Sequence, residues 1–156
     1  MNSETLSNTF KTENAAQTQE LAARLAAHMR GGEIIFLSGP IGAGKTTFVQ
    51  GMARYWKMKR PVSASFSIMR QYRGGGFRMV HIDLFRLCED EIYNLGIDSI
   101  LEDPRAVIVA EWPAPMASVI APDRLEIEIN LLHGDGRELV FRAGGEKSRK
   151  LLEALG

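Results

Sequence analysis

One cysteine, Cys88, is the whole thiol content of these 156 residues. No internal disulfide can form, and the chain suits a reducing cytosol. No apolar run approaches the roughly 20 residues that a membrane span needs. The first residues, MNSETLSNTFKTEN, are polar and lack the apolar centre of a secretory signal. Neither sign of charge is in excess, because 19 basic and 19 acidic residues cancel. That removes a global pull toward nucleic acid or anionic membrane. There is no internal repeat, no low-complexity stretch and no N-K-x-D segment for reading guanine. The three histidines have no metal-site spacing.

What is present suits one cytoplasmic domain over residues 1–156, with 1–8 a loose polar tail. Residues 13–29 read as a helix, with Leu21, Leu25 and Met29 recurring every four residues. Thr12 or Asn14 is the candidate cap, and Gly31 and Gly32 stop the helix. Residues 33–38 (EIIFLS) and 106–110 (AVIVA) are short apolar runs that read as buried parallel strands. Residues 46–56 read as a helix. Residues 66–72 and 77–82 flank Arg73-Gly74-Gly75-Gly76, and 124–132 and 137–142 flank His133-Gly134-Asp135-Gly136. Both pairs read as antiparallel hairpins. Residues 89–100 suit one or two short helices broken near Gly96, and 146–155 a terminal helix. The expected fold is an α/β three-layer sandwich with a mixed, mainly parallel central sheet and antiparallel hairpins.

Residues 39–46 (GPIGAGKT) meet the template G-x-x-x-x-G-K-[ST] through Gly39, Gly44, Lys45 and Thr46. A triphosphate crowds several negative charges together, and backbone N–H groups surround it only if the chain curls tightly. Glycines at 39, 42 and 44 permit that curl. The following helix directs unpaired N–H groups and a partial positive charge at the phosphates. Lys45 adds a full charge, and the Thr46 hydroxyl suits magnesium, which prefers oxygen ligands. An apolar strand before the loop and a helical pattern after it separate this from a chance glycine turn. The loop residues Ile41, Gly42, Ala43 and Thr47 belong to the same nucleotide-binding candidate set.

Such a loop needs a carboxylate to hold the metal's water shell or to orient water. Asp83 follows one strand and Glu111 follows the cleaner buried one, so Glu111 ranks first for metal or water. A strand-end acid is more often simply solvated. His81 shares a face with Asp83 at strand spacing and is read as structural or as a supporting group. Arg54, Lys57, Lys59 and Arg60 cluster with Tyr55 and Trp56, a pattern that suits RNA, although cations also favour a helix C-terminus. Residues 147–150 (KSRK) read as a solvated helix face.

Four ordered segments resemble the TsaE (YjeE) family, bacterial P-loop ATPases of tRNA threonylcarbamoyladenosine synthesis. They are GPIGAGKTTFVQG at 39–51, VSASFSI at 62–68, HIDLFRL at 81–87 and Glu111-Trp112-Pro113. The resemblance spans about residue 10 to Leu132. It implies that ATP is held by Lys45 and the loop amides, and Mg2+ by Thr46 and Glu111. It implies that Asp83 and Ser65 belong to nucleotide-sensitive segments, that Trp112 acts near the nucleotide, and that Lys11 and Thr12 lie near the adenine. Lys45, Asp83 and Glu111 form the implied catalytic set. The implied activity is slow ATP hydrolysis that resets a complex of TsaD and TsaB type proteins, with tRNA met through that complex, no membrane, and a monomer when free. The chain departs from the family pattern at Pro40, where an acid is common, and at Ala64 and Ser65, which stand for proline and threonine. Ala114 lacks a carboxylate often found two residues after the tryptophan.

Two other classes compete. A P-loop small-molecule kinase would carry lid arginines, for which Arg70, Arg73 and Arg78 are the candidates. A GTP-dependent switch is disfavoured by the missing guanine segment.

Overall fold

The computed structural model describes residues 5–62, 69–83, 90–91, 94, 96–111 and 123–156. Seven strands make one sheet: β1 (Ser7–Thr12), β2 (Ile34–Ser38), β3 (Met69–Gly74), β4 (Phe77–Asp83), β5 (Ala106–Glu111), β6 (Leu125–Leu131) and β7 (Arg137–Ala143). Their order is β1-β7-β6-β2-β5-β4-β3. The centre, β6-β2-β5-β4, is parallel, while β1-β7, β7-β6 and β4-β3 are antiparallel. The sheet is therefore mixed as expected, with a parallel core around β2 and antiparallel hairpins added to it. Both hairpins form where the glycine turns suggested. β5 is buried along its whole length, as a strand covered on both faces must be.

Helices α1 (Ala15–His28), α2 (Lys45–Tyr55) and α4 (Glu146–Leu155) cover one face. The short α3 (Ile97–Leu101) covers the other. Alternation along the strands sends Leu37, Met79 and Val109 to the first face and Phe36, Val80 and Ile108 to the second. Of the two candidate caps for α1, Asn14 serves: its side chain accepts from Gln17 N–H at 2.9 Å, and Gln17 Oε1 accepts from Glu13 N–H at 2.8 Å. Helix α1 ends at His28, just before Gly31 and Gly32. Gly51 lets α2 lie against α1, since a Cβ there would sit 2.4 Å from Gln19 O.

Three expectations change. Ser7 and Asn8, read as part of a loose tail, instead begin β1 and pair with Arg142 and Phe141. Asn8, Phe10 and Thr12 turn inward from this strand and only one of them is apolar, so its apolar alternation is faint; Phe10 meets Phe141 edge-on at 5.0 Å. Trp56, read with the basic cluster as an RNA-suited aromatic, is buried and tilted against Phe77 at 5.3 Å. It is core, and only Tyr55 of that pair is exposed. Within the 147–150 face, Lys147, Arg149 and Lys150 are exposed as expected, but Ser148 is buried, and Lys147 Nζ reaches Gly31 O at 3.0 Å.

Candidate nucleotide-binding site

Where β2 ends, the chain turns through Gly39 to Gly44 and enters α2. Gly39, Gly42 and Gly44 have φ of 146°, 81° and 106°, a region that side-chain-bearing residues avoid. A Cβ on Gly39 would also lie 2.4 Å from Ile129 O on β6. Gly44 is the N-cap of α2 and, being glycine, brings no side-chain hydrogen bond to the helix end. The first turn of α2 therefore presents its N–H groups without a protein acceptor from the cap. Lys45 Nζ reaches back across the loop to Gly39 O at 2.7 Å.

The strand register brings the acids to this loop. Leu37, Glu111 and Asp83 lie side by side at the C-terminal edge of β2, β5 and β4. That edge is where open α/β sheets bind ligands. Glu111 and Asp83 share the α2 face with Val109 and Met79. Burial holds the Lys45 ammonium below the usual lysine range, and the charges of Glu111 and Asp83 act in the opposite sense. Both carboxylates are thus close enough to be felt at Lys45.

His81 is fully buried, and its Nε2 lies 3.0 Å from Glu111 Oε2, which is itself only 6% exposed as a residue. A carboxylate only accepts, so Nε2–H donates. His81 shares the face of Asp83, as its spacing indicates, and its supporting contact goes to Glu111, diagonally across to the neighbouring strand. Thr46 and Thr47 sit half-buried in the first turn of α2. Ile41 is 93% exposed, so its side chain meets nothing at the loop. Thr12 is buried with its hydroxyl 2.7 Å from that of Thr18, whereas Lys11 faces outward from the other side of β1. Ser65 and Trp112, together with Ala64, Ala114 and residues 84–87, lie outside the described residues.

Beside the loop is a cavity of about 410 Å³ lined by Asn14, Thr18, Gly42, Gly44, Thr47 and Asp135 among others. Arg137 lines it too and donates to Ala43 O at 2.8 Å. Nothing near Arg137 in sequence announces this, because the contact joins residues 94 apart. Among the described residues no cluster of three His, Cys, Asp or Glu side chains forms a metal cage. Of the three kinase-lid candidates, Arg70 on β3 lies opposite His81, while Arg78, second in β4, pairs in register with Arg73 and forms an ion pair with Asp103. Arg73 and Arg78 are at the turn end of the β3–β4 hairpin, about 17 Å from Asp83 at strand rise.

The match to known proteins follows the same frame. A family model described as "Threonylcarbamoyl adenosine biosynthesis protein TsaE" matches residues 12–139. The chain belongs to the TsaE family. It is 34% identical over 147 residues to the tRNA threonylcarbamoyladenosine biosynthesis protein TsaE of Bacillus subtilis, covering 94% of this chain and 92% of that one. The TsaE of Streptomyces coelicolor is 38% identical over 122 residues, covering 75% and 81% of the two chains. A crystal structure of Bacillus subtilis YdiB superposes with a TM-score of 0.84 at 28% identity, covering 99% of this chain and 97% of that one. The TsaE match takes in β2, the glycine loop, Asp83, Glu111 and Arg137, so the site lies wholly inside the family region.

Proposed function

We propose that this chain is a magnesium-dependent, ATP-binding and slowly hydrolysing P-loop ATPase. It supports tRNA threonylcarbamoyladenosine modification by acting on a complex of TsaD and TsaB type proteins. One observation carries the reading: in a TsaE family chain, the glycine loop, Lys45, Glu111 and Asp83 converge on one edge of the parallel strands. The residues fit a magnesium triphosphate. Three loop glycines hold positive φ, the cap of α2 leaves its N–H groups open to an anion, and a hydroxyl and a carboxylate supply the oxygen donors magnesium takes. Few protein ligands suffice, because magnesium keeps several of its waters. ATP is preferred to GTP in this reading because no N-K-x-D segment occurs in the sequence.

The chain's own work is positional and electrostatic. Lys45 would exchange its bond to Gly39 O for charge-assisted bonds to phosphate oxygens. Thr46 and Glu111 would hold the metal, and His81 holds Glu111 in one orientation. Asp83, beside Glu111, would answer to nucleotide state and help orient the attacking water. A bound magnesium would supply charge neutralisation at the phosphates. The N–H groups of α2 stabilise negative charge that develops as the terminal phosphoryl group leaves. A slow basal rate is expected, because a partner must complete the site.

The test is phosphate release from ATP by the chain alone and with TsaD and TsaB type proteins. A low rate alone, raised in the complex, is expected. No hydrolysis and no binding in either setting would overturn the reading, and a phosphorylated acceptor in place of free phosphate would point to a kinase.

A further inference from the structure

Arg137 spends its guanidinium on main-chain carbonyls from two separate parts of the chain. Nε donates to Ala43 O at 2.8 Å and Nη2 to Gly42 O at 3.3 Å, both in the phosphate loop. Nη1 donates to Gly136 O at 2.7 Å and Gly134 O at 3.4 Å, both in the turn between β6 and β7. The Arg137 backbone is itself fixed between strands, opposite Thr12 of β1 and Leu131 of β6.

We propose that Arg137 is a positioning residue that presets the phosphate loop in its binding shape. The inference rests on the nucleotide reading of the site. The peptide bonds here are trans, so a carbonyl and the N–H that follows it point in opposite directions. Holding Ala43 O against the guanidinium turns Gly44 N–H away from it. Holding Gly42 O does the same to Ala43 N–H, which closes a turn on Pro40 O at 3.0 Å. A loop with three glycines loses much backbone freedom on ordering. If that loss is met before the ligand arrives, binding no longer bears it. The planar fork is what the geometry uses, because Nε and Nη2 reach two consecutive carbonyls while Nη1 stays on the hairpin. A lysine, with one compact ammonium, cannot span them. Lys45 Nζ on Gly39 O braces the loop from within, and Arg137 braces it from without.

Arg137 also lines the cavity beside the loop, so direct contact with the nucleoside is the rival role, and the test separates the two. The affinities of ATP and of tripolyphosphate, which has no base or ribose, are measured with magnesium for the native chain, Arg137→Lys and Arg137→Met. Amide hydrogen exchange at residues 41–44 is followed in the free proteins, with exchange in β5 and the melting temperature as controls of folding. The expected result is a loss on the order of tenfold for both probes, by the same factor in both variants. Exchange at 41–44 quickens while β5 is unchanged. Native affinity and native exchange in both variants would overturn the proposal. So would a loss confined to ATP, which means contact with the nucleoside, or a loss in Arg137→Met that Arg137→Lys restores, which means charge alone. If the native chain binds neither probe, the nucleotide reading fails, while the exchange comparison still decides whether Arg137 orders the loop.

Discussion

Glu111 is an acidic residue in a place that does not readily take one. It ends a strand buried along its whole length, and an ionised carboxylate out of water needs a compensating donor. His81 is that donor, at 3.0 Å. The pair leaves one face of the carboxylate committed to the ring and orients the other oxygen. His81→Leu should therefore weaken metal affinity, read as manganese binding with nucleotide present, by roughly 10- to 100-fold, and His81→Gln should recover much of it by restoring an N–H donor. A His81→Leu protein that melts normally and binds manganese as tightly as the native chain would remove this role. Glu111→Ala should lower hydrolysis and metal affinity more than nucleotide affinity; unchanged turnover would move the metal role to Asp83. Lys45→Ala should abolish tight triphosphate binding in calorimetry, since it removes the full charge that the loop amides lack.

Among the elements, α4 shows how a long-range contact completes a helix. Its N-cap, Gly145, has no side chain, and Asp123 takes over. Asp123 Oδ2 accepts from Lys147 N–H at 2.7 Å, and Oδ1 accepts from Ser148 N–H at 3.0 Å and from the Ser148 hydroxyl at 2.7 Å. Burial opposes its charge, but the Ser148 and Lys147 hydrogen bonds and the Lys147 charge outweigh that and hold the carboxyl below its ordinary pKa. A depressed carboxyl pKa stabilises the fold above the unfolded value, about 3.9, and that contribution fades as pH falls through the lower folded value. Asp123→Ala should cost about 1 kcal/mol in urea unfolding near neutral pH, and the gap to the native chain should narrow in acid. A gap that stays constant to pH 2 would show that the charge is not involved. A reader of the sequence sees α4 itself in the spacing of Leu151, Leu152 and Leu155. The cap is invisible there, because its donor and acceptor are more than 20 positions apart. β2, β5 and the two hairpins were legible for the opposite reason: apolar runs and glycine turns are local. β1 was not, because an edge strand whose inward side carries Asn8, Phe10 and Thr12, a single apolar residue among them, looks like a polar tail.

At the scale of the whole molecule, β1 closes one side of the sheet and continues into the cap of α1. Deleting residues 1–12 should uncover the hydrogen-bonding edge of β7 and strip Phe10 from Phe141. The melting temperature should drop, at roughly 2–4 °C per kcal/mol for a chain of this size, and association should become concentration-dependent in sedimentation, as an exposed edge strand invites. A deletion that melts like the native chain and stays monomeric would show that β1 is dispensable. The sequence by itself determined that there is a glycine loop between a strand and a helix, that acids follow two strands, and that the ordered motifs are those of the TsaE family. Each is a property of neighbouring residues: positive φ needs glycine, a buried strand needs an apolar run, and a motif is a spacing. Only the tertiary structure decided that β5 and β4 set Glu111 beside Asp83 at Lys45, that His81 belongs to Glu111, and that Arg137 holds the loop. Strand order and register make those pairs, across 30 positions for His81 and 94 for Arg137, and no local preference encodes which distant strand end will lie alongside the loop.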